Sequence, residues 1–280
     1  MARSAPNHPI PAVELNDGTL MPQLGLGTYR IADDVAQTVV ATALDAGYRH
    51  FDLASYYRNE RAVGLALRRS GIARSELFLT SKVWNDSHGY EHTVQAFERS
   101  LAEIETDYLD LYLIHWPASD PALTRDTWRA LEDLARDGRA RSIGVSNFST
   151  SQLESLLRGT TIVPAVNQIE LHPYLPQTEL RELHRAQGIV TQAWAPLGRA
   201  AVLDDPVIAD IARRHRTTTA QVVLRWHLQL GTVALPKSVT PQRIRANAQV
   251  HGFALDETDL ARIASLDHGR HVGPTASEPK

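Results

Sequence analysis

Two hydrophobic periods alternate along this chain. Short β-branched or apolar runs read as buried strands, and longer stretches with apolar residues three and four apart read as amphipathic helices. Val35, Val39 and Ala43 share a helical face ahead of the run Arg49 to Asp52, and Val94, Phe97, Leu101 and Ile104 do so ahead of the run Leu109 to His115. Six further runs follow the same grammar: Gln23 to Gly25, Phe78 to Lys82, Ser142 to Val145, Val166 to Ile169, Val190 to Trp194 and Thr232 to Leu235. Gly47, Gly71, Gly138, Gly188 and Gly231 each stand between a helical stretch and the next run, where a left-handed C-cap is expected. Strand-helix units repeated about eight times without a break in composition favour a closed (β/α)8 barrel over an open doubly wound sheet, because closure leaves no edge strand. Asp17-Gly18, between Val13 to Asn16 and Thr19 to Met21, is a two-residue hairpin signal and reads as a plug across the bottom of the barrel. One α/β barrel domain over 1–280 is therefore expected, with tails at 1–11 and 267–280. The second tail, rich in Gly, His, Pro and Ser and without periodicity, is either disordered or draped over one end.

Composition narrows the function classes. A chain of 280 residues with 43% hydrophobic and 22% charged positions is an ordinary globular protein, which excludes disorder as its main state. With 29 basic and 32 acidic residues, the net charge of -3 offers no general attraction for nucleic acid or an anionic membrane. The absence of cysteine excludes disulfides, thiolate nucleophiles, Fe-S clusters and cysteine-bound zinc. No run of roughly 18 apolar residues spans a membrane, and Met1 to Pro11 has no apolar stretch, so a cytoplasmic protein is expected, as is a monomer. Of the basic residues 26 are Arg, and apart from the terminal Lys280 only Lys82 and Lys237 remain. A retained Lys in such a chain suggests a site that needs a compact ammonium.

Barrels of this kind carry their chemistry at the C-terminal ends of the strands. The runs end in Asp52, Lys82, His115 and Trp194 or lead into Ser146-Asn147 and Lys237-Ser238, with Gln168 in the sixth. Any one of these, taken singly, reads as a satisfied polar residue at a strand end. Together they must converge on one mouth. Asp52, Tyr57, Lys82 and His115 share a logic: a tyrosine donates a proton near neutrality when a cation favours its phenolate, Lys82 is that cation, and Asp52 is the carboxylate that makes its burial tolerable. His115 can donate a ring N–H to a carbonyl oxygen beside the Tyr57 hydroxyl, an arrangement suited to reducing a carbonyl. No side chain supplies the hydride, so a nicotinamide cofactor is implied.

The segments Asp52-Leu-Ala-Ser-Tyr-Tyr57-Arg-Asn-Glu60, Ser81-Lys82-Val-Trp84, Leu113-Ile-His115-Trp-Pro117, Gly144-Val-Ser-Asn-Phe148 and Leu235-Pro-Lys237-Ser238 resemble, in order and spacing, the motif series of the aldo-keto reductases, in the bacterial branch that includes the 2,5-diketo-gluconate reductases. This resemblance implies a (β/α)8 fold and NADPH-dependent reduction of aldehydes and ketones, with Tyr57 as proton donor and Asp52, Lys82 and His115 completing a tetrad. It implies that Gly27 and Thr28 form the turn under the nicotinamide ribose, that Ser146, Asn147 and Gln168 bind the carboxamide, and that Trp194 stacks on the nicotinamide ring. Pro196, Leu197 and Gly198 would lie along the pyrophosphate. Lys237, Ser238, Val239, Thr240 and Arg243 resemble the adenosine 2'-phosphate site, where two cations and a hydroxyl suit a dianion. Asn247 would hold the adenosine. The family's usual Glu is replaced by Ala246, which leaves that clamp incomplete. Tyr29, Trp84 and Trp116 resemble an aromatic pocket for a small-molecule carbonyl substrate, or else are core packing.

Other readings compete. Gly25-Leu-Gly27 suggests a dinucleotide fingerprint, but its third glycine falls at Arg30, which excludes it. Glu170-Leu-His172 with His268-Gly-Arg-His271 supplies conceivable ligands for a metal-dependent hydrolase, although 12 histidines make such pairs likely by chance and no H-E-x-x-H occurs; no metal is expected. A cofactor-sensing binding protein on the same fold is the remaining alternative, distinguished by whether bound NADPH is oxidised once or repeatedly in excess aldehyde.

Overall fold

The computed structural model describes residues 10–274. Strands β1 (Ala12–Glu14) and β2 (Leu20–Pro22) form an antiparallel hairpin. Eight parallel strands follow in sequence around one sheet: β3 (Gly25–Gly27), β4 (His50–Asp52), β5 (Phe78–Val83), β6 (Leu109–Ile114), β7 (Ala140–Ser146), β8 (Val166–Glu170), β9 (Val190–Trp194) and β10 (Val233–Ala234). A parallel bridge between Leu24 and Ala234, with Ala234 N donating to Gln23 O at 2.9 Å, closes the last strand onto the first. The expected (β/α)8 barrel is what the chain adopts. Its helices are α1 (Asp33–Asp45), α2 (Glu60–Arg69), α3 (Tyr90–Ile104), α4 (Pro121–Arg136), α5 (Thr150–Leu157), α6 (Thr178–Ala186), α7 (Pro206–His215), α8 (Thr219–Gln229), α9 (Pro241–Ala248) and α10 (Glu257–Ala264). The strand-helix repeat is thus irregular near its end, with two helices between β9 and β10.

Local details depart from the sequence pattern for identifiable reasons. The first barrel strand lies at Gly25–Gly27, two residues beyond the expected run. Two of its three residues are glycine because a Cβ at Gly25 would lie 2.8 Å from the His50 ring and 2.7 Å from Leu235 Cδ2, so the strand carries little hydrophobic signal. The hairpin loop has three residues: Leu15 N donates to Thr19 O and Gly18 N to Leu15 O, both at 2.9 Å, with Gly18 at φ +84°. In α1 the inward face is Ala36, Val39, Val40, Ala43 and Leu44, while Val35 is exposed. All five junction glycines adopt the expected positive φ.

The hairpin is a plug. Leu15 and Met21 pack with Phe78, Leu111, Leu113, Ala165, Val166 and Val233 in one apolar cluster, separate from the main layer between strands and helices. Above that cluster His50, Gln192, Gln168, Asp52 and Lys82 form a hydrogen-bonded polar network, each 3% exposed or less. Buried polar groups persist only when bonded to one another, so the arrangement of this network is tightly constrained.

Candidate active site

Lys82 is the centre of the network. Its side chain, fully buried on β5, donates to Asp52 Oδ2 at 2.7 Å, Leu53 O at 2.8 Å and Tyr57 Oη at 3.3 Å. Tyr57 reaches it from the short 3-10 turn Ser55–Tyr57, which is tied back to the same strand by Ser55 Oγ donating to Lys82 O at 3.0 Å. Burial holds the Lys82 ammonium below its ordinary 10.5, against the opposing pull of Asp52. Any lowering of the phenol by Lys82 is outweighed: burial, then Asp52, then Tyr29 push Tyr57 above its ordinary 10.0. Asp52 lies closer to the ammonium than the phenol does and offsets its charge, so desolvation decides the sign.

His115 follows β6 and joins the same mouth. Burial, then the charges of Lys82 and His88, hold it well below 6.5, so its ring is neutral. Edge-on contacts surround it: Trp84 at 5.0 Å between ring centroids, Tyr57 at 5.7 Å and Tyr56 at 6.1 Å. Tyr56 also stacks on Trp84 at 3.9 Å, and Tyr29 leans on Tyr57 at 5.1 Å. Tyr29 and Tyr56 are each 38% exposed, whereas Trp116 is 7% exposed and presents little surface to a ligand. Sequence reasoning passed over Tyr56. Its place beside Tyr57 in a one-turn 3-10 element, which sets consecutive side chains about 120° apart, was the available signal.

The residues expected to bind a cofactor lie along the same rim. At Gly27 an added Cβ would stand 3.2 Å from Leu235 O and 3.6 Å from Lys237 Cβ, a cradle that a side chain would fill. Thr28 is buried with its hydroxyl donating to Asp52 O at 2.8 Å, so its part is to hold the turn. Ser146 Oγ donates to Gln168 O at 2.9 Å, and Asn147, at φ +64°, donates to His115 O at 2.9 Å and to Ser146 Oγ at 3.0 Å. Asn147 Oδ1 accepts from Trp194 Nε1 at 2.7 Å, which fixes the indole. Gln168 donates to Asp52 Oδ1 at 2.8 Å. After β9, Pro196, Leu197 and Gly198 belong to a loop in which Ala195, Gly198, Arg199 and Ala200 all have positive φ, a costly conformation that concentrates at binding sites. Lys237 is held below 10.5 by burial and by the charge of Arg30, a third cation that sequence reasoning had not placed here. Ser238 Oγ accepts from Thr240 N at 3.1 Å at the start of α9; Val239 and Arg243 are exposed, Asn247 is buried, and Ala246 presents no polar side chain. Cations, a helix start and an open glycine cradle suit a phosphate-bearing dinucleotide.

The C-terminal segment adds a feature that its composition did not announce. Glu170, 3% exposed at the end of β8, accepts from Val272 N at 2.6 Å, Gly273 N at 3.3 Å and His271 Nδ1 at 3.2 Å, and bonds His172 Nε2 at 3.0 Å. Of the residues weighed as metal ligands, Glu170, His172 and His271 meet in a tail latch while His268 packs on Tyr174, and among the described residues no group of His, Cys, Asp and Glu is arranged to hold a metal. Gly273 lies against the Trp194 indole, which leaves no room there for a Cβ. The tail is draped over the mouth as far as it is described; positions 275–280 lie outside the described residues.

Comparison with known proteins agrees with this geometry. The model of the aldo/keto reductase family matches residues 21–268. An aldo-keto reductase from Mycobacterium sp. (strain KMS) is 51% identical over 264 residues, covering 94% of this chain and 96% of that protein. Glyoxal reductase from Bacillus subtilis (strain 168) is 48% identical over 267 residues, covering 95% and 96%. Among solved structures, a mutant of Gox0644 in complex with NADPH superposes with a TM-score of 0.93 at 44% identity, covering 98% of this chain and all of that one.

Proposed function

The chain belongs to the aldo/keto reductase family and is an NADPH-dependent carbonyl reductase, and from that premise we propose that Tyr57 is its proton donor and small aldehydes of the glyoxal type its substrates. The observation that carries the first part is Lys82 Nζ, 2.7 Å from Asp52 and 3.3 Å from the Tyr57 hydroxyl. NADPH, when bound, supplies a hydride to the carbonyl carbon. His115, neutral at physiological pH, donates a ring N–H to the carbonyl oxygen and orients it beside Tyr57. The Tyr57 hydroxyl then gives its proton to that oxygen. An alkoxide is a far stronger base than a phenolate, so the transfer runs downhill even from a phenol held above its ordinary range. Lys82 steadies the phenolate left behind, Asp52 holds Lys82, and Gln168 holds Asp52. Trp194, Asn147, Ser146 and Gln168 line the nicotinamide position, and Arg30, Lys237 and Arg243 are the cations for the phosphates.

The substrate class is supported by the pocket of Tyr29, Tyr56, Trp84 and His115, whose rings suit a small carbonyl compound, and by the likeness to a glyoxal reductase. A steady-state screen of NADPH consumption across glyoxal, other α-dicarbonyls, simple aldehydes and keto-sugars tests it. Glyoxal-type compounds should give the highest kcat/KM; a preference for keto-sugars by tenfold or more contradicts the assignment. We read the enzyme as a cytoplasmic monomer, in keeping with its small-molecule substrate and with the absence, among the described residues, of a helix long and apolar enough to cross a membrane. Light scattering and cell fractionation test these points.

A further inference from the structure

The barrel interior carries a chain of hydrogen bonds whose direction can be worked out from its two ends. At the bottom, His50 Nδ1 lies 3.2 Å from Pro22 O. A carbonyl only accepts, so Nδ1 carries the proton. Burial is the main cause that pushes the His50 pKa down to about 4, so the ring is neutral and Nε2 is an acceptor. Thr80 Oγ1 stands 3.2 Å from Nε2, and Gln192 Nε2 stands 3.5 Å from it. With its NH2 group toward His50, Gln192 turns Oε1 toward Gln168, whose Nε2 donates to it at 2.6 Å. The same Gln168 Nε2 donates to Asp52 Oδ1 at 2.8 Å. From the other end the answer agrees: a carboxylate only accepts, so Asp52 also demands the Gln168 NH2 group. Flipping either amide would set oxygen against an acceptor or NH2 against NH2, and a buried mismatch of that kind is expensive.

The ring that starts the chain is closely packed. Gly25 packs against one side, where a Cβ would be 2.8 Å from His50 Cγ and Nδ1, and Phe78 meets it edge-on at 4.9 Å. Both N–H bonds of Gln168 are thereby used inside the barrel, which leaves Oε1 as the amide's remaining polar atom.

We propose that Gln192, its NH2 group turned toward His50 and Met21, is a positioning residue that together with Asp52 fixes the Gln168 amide with its oxygen presented to the cofactor, so that the site accepts an N–H from the nicotinamide carboxamide. The proposal rests on reading Gln168 as a carboxamide holder, and the test separates the two. The probe is the 3-acetylpyridine analogue of NADPH, which keeps the ring carbonyl but has no amide N–H. Dissociation constants for NADPH and the analogue are measured by quenching of tryptophan fluorescence for the intact enzyme and for Gln168→Leu, Gln192→Leu, Gln192→Met and Gln192→Glu.

The intact enzyme should prefer NADPH over the analogue by about three- to tenfold, the worth of one hydrogen bond. Gln192→Leu should cut that preference to about twofold or less, because the Gln168 amide then keeps only its Asp52 bond and presents its oxygen less firmly. Gln192→Met serves the same purpose in a flexible apolar shape if the leucine variant does not fold. Gln192→Glu should keep the preference, since its carboxyl group can still accept from Gln168 and, when protonated, donate toward His50 Nε2 as the amide does. A merely structural role would weaken both cofactors equally and leave their ratio intact. If Gln168→Leu loses the preference while Gln192→Leu and Gln192→Met retain it, the positioning role is overturned. If Gln168→Leu itself retains it, or the intact enzyme has none, the carboxamide reading fails and takes this inference with it.

Discussion

At the scale of single residues, Tyr57 and His115 are set by burial more than by charge. Each is locked in one protonation state across the neutral range, the phenol protonated because its pKa is raised and the imidazole neutral because its pKa is lowered. The kcat/KM for carbonyl reduction is therefore expected to be flat from about pH 6.5 to 10 and to fall only above that, as the phenol loses its proton. A fall already under way at pH 8 would mean that Lys82 depresses the phenol after all. That the four residues of the proposed tetrad meet at one mouth was legible in the chain, because Asp52, Lys82 and His115 close apolar runs and Tyr57 follows one of them at short range. The sign of the phenol shift was not legible, since it depends on Asp52 standing 2.7 Å from the ammonium, a distance that emerges only when β4 and β5 pair. His50 and Gln192 were hidden for a related reason: they lie within strands, and an inward-facing polar residue in a short buried run gives no periodic signal of its own.

At the scale of elements, the start of α9 and the C-terminal segment make separable predictions. Arg243→Ala should raise the dissociation constant for NADPH about tenfold and leave that for NADH within a factor of two, because only the former carries the 2'-phosphate. The preference should also shrink as salt rises, and fluorescence titration at two ionic strengths checks both points. Equal losses for the two cofactors would make Arg243 structural. In the tail, burial would raise the Glu170 carboxyl, but its bonds with His172, Val272 N–H and His271 prevail and hold it below its ordinary 4.5. A carboxyl held low in the folded state stabilises above its ordinary value, and that stabilisation is lost as pH falls through the lowered one. Hydrogen-exchange protection of the Val272 and Gly273 amides should thus be constant from pH 7 to about 5 and decline below, with Glu170→Gln already unprotected at pH 7. Protection unchanged down to pH 3 would show that the tail is held by other contacts. The tail's composition left its docking open because the latch is one carboxylate at the far end of β8. The hairpin loop was read one residue too short because Asp-Gly marks a turn without fixing how many residues lie between the paired strands.

At the scale of the whole molecule, the barrel was the most legible feature, since eight apolar runs punctuated by glycine can close only when each strand finds two neighbours. Its two ends were the least legible: β3 is mostly glycine and β10 has two residues, so closure rests on a single bridge from Leu24 to Ala234 and on backbone bonds such as Gly27 N to Pro236 O at 3.2 Å. Glycine is demanded at that seam by the His50 ring and Leu235, so the position that closes the barrel also fixes the polar network beneath the site. Fold and chemistry are coupled here: apolar packing and the hairpin plug below, a bonded polar column above, and Lys82 at its top. The measurement that tests this account most directly compares the intact enzyme with Tyr57→Phe, following NADPH consumption in excess glyoxal alongside NADPH binding by fluorescence. The intact enzyme should oxidise many equivalents of NADPH per site, and the variant should lose turnover by a factor of about 100 to 10,000 while binding NADPH within about threefold of the intact value. A variant that retains more than a tenth of the turnover, or an intact enzyme that stops after one equivalent, would contradict it.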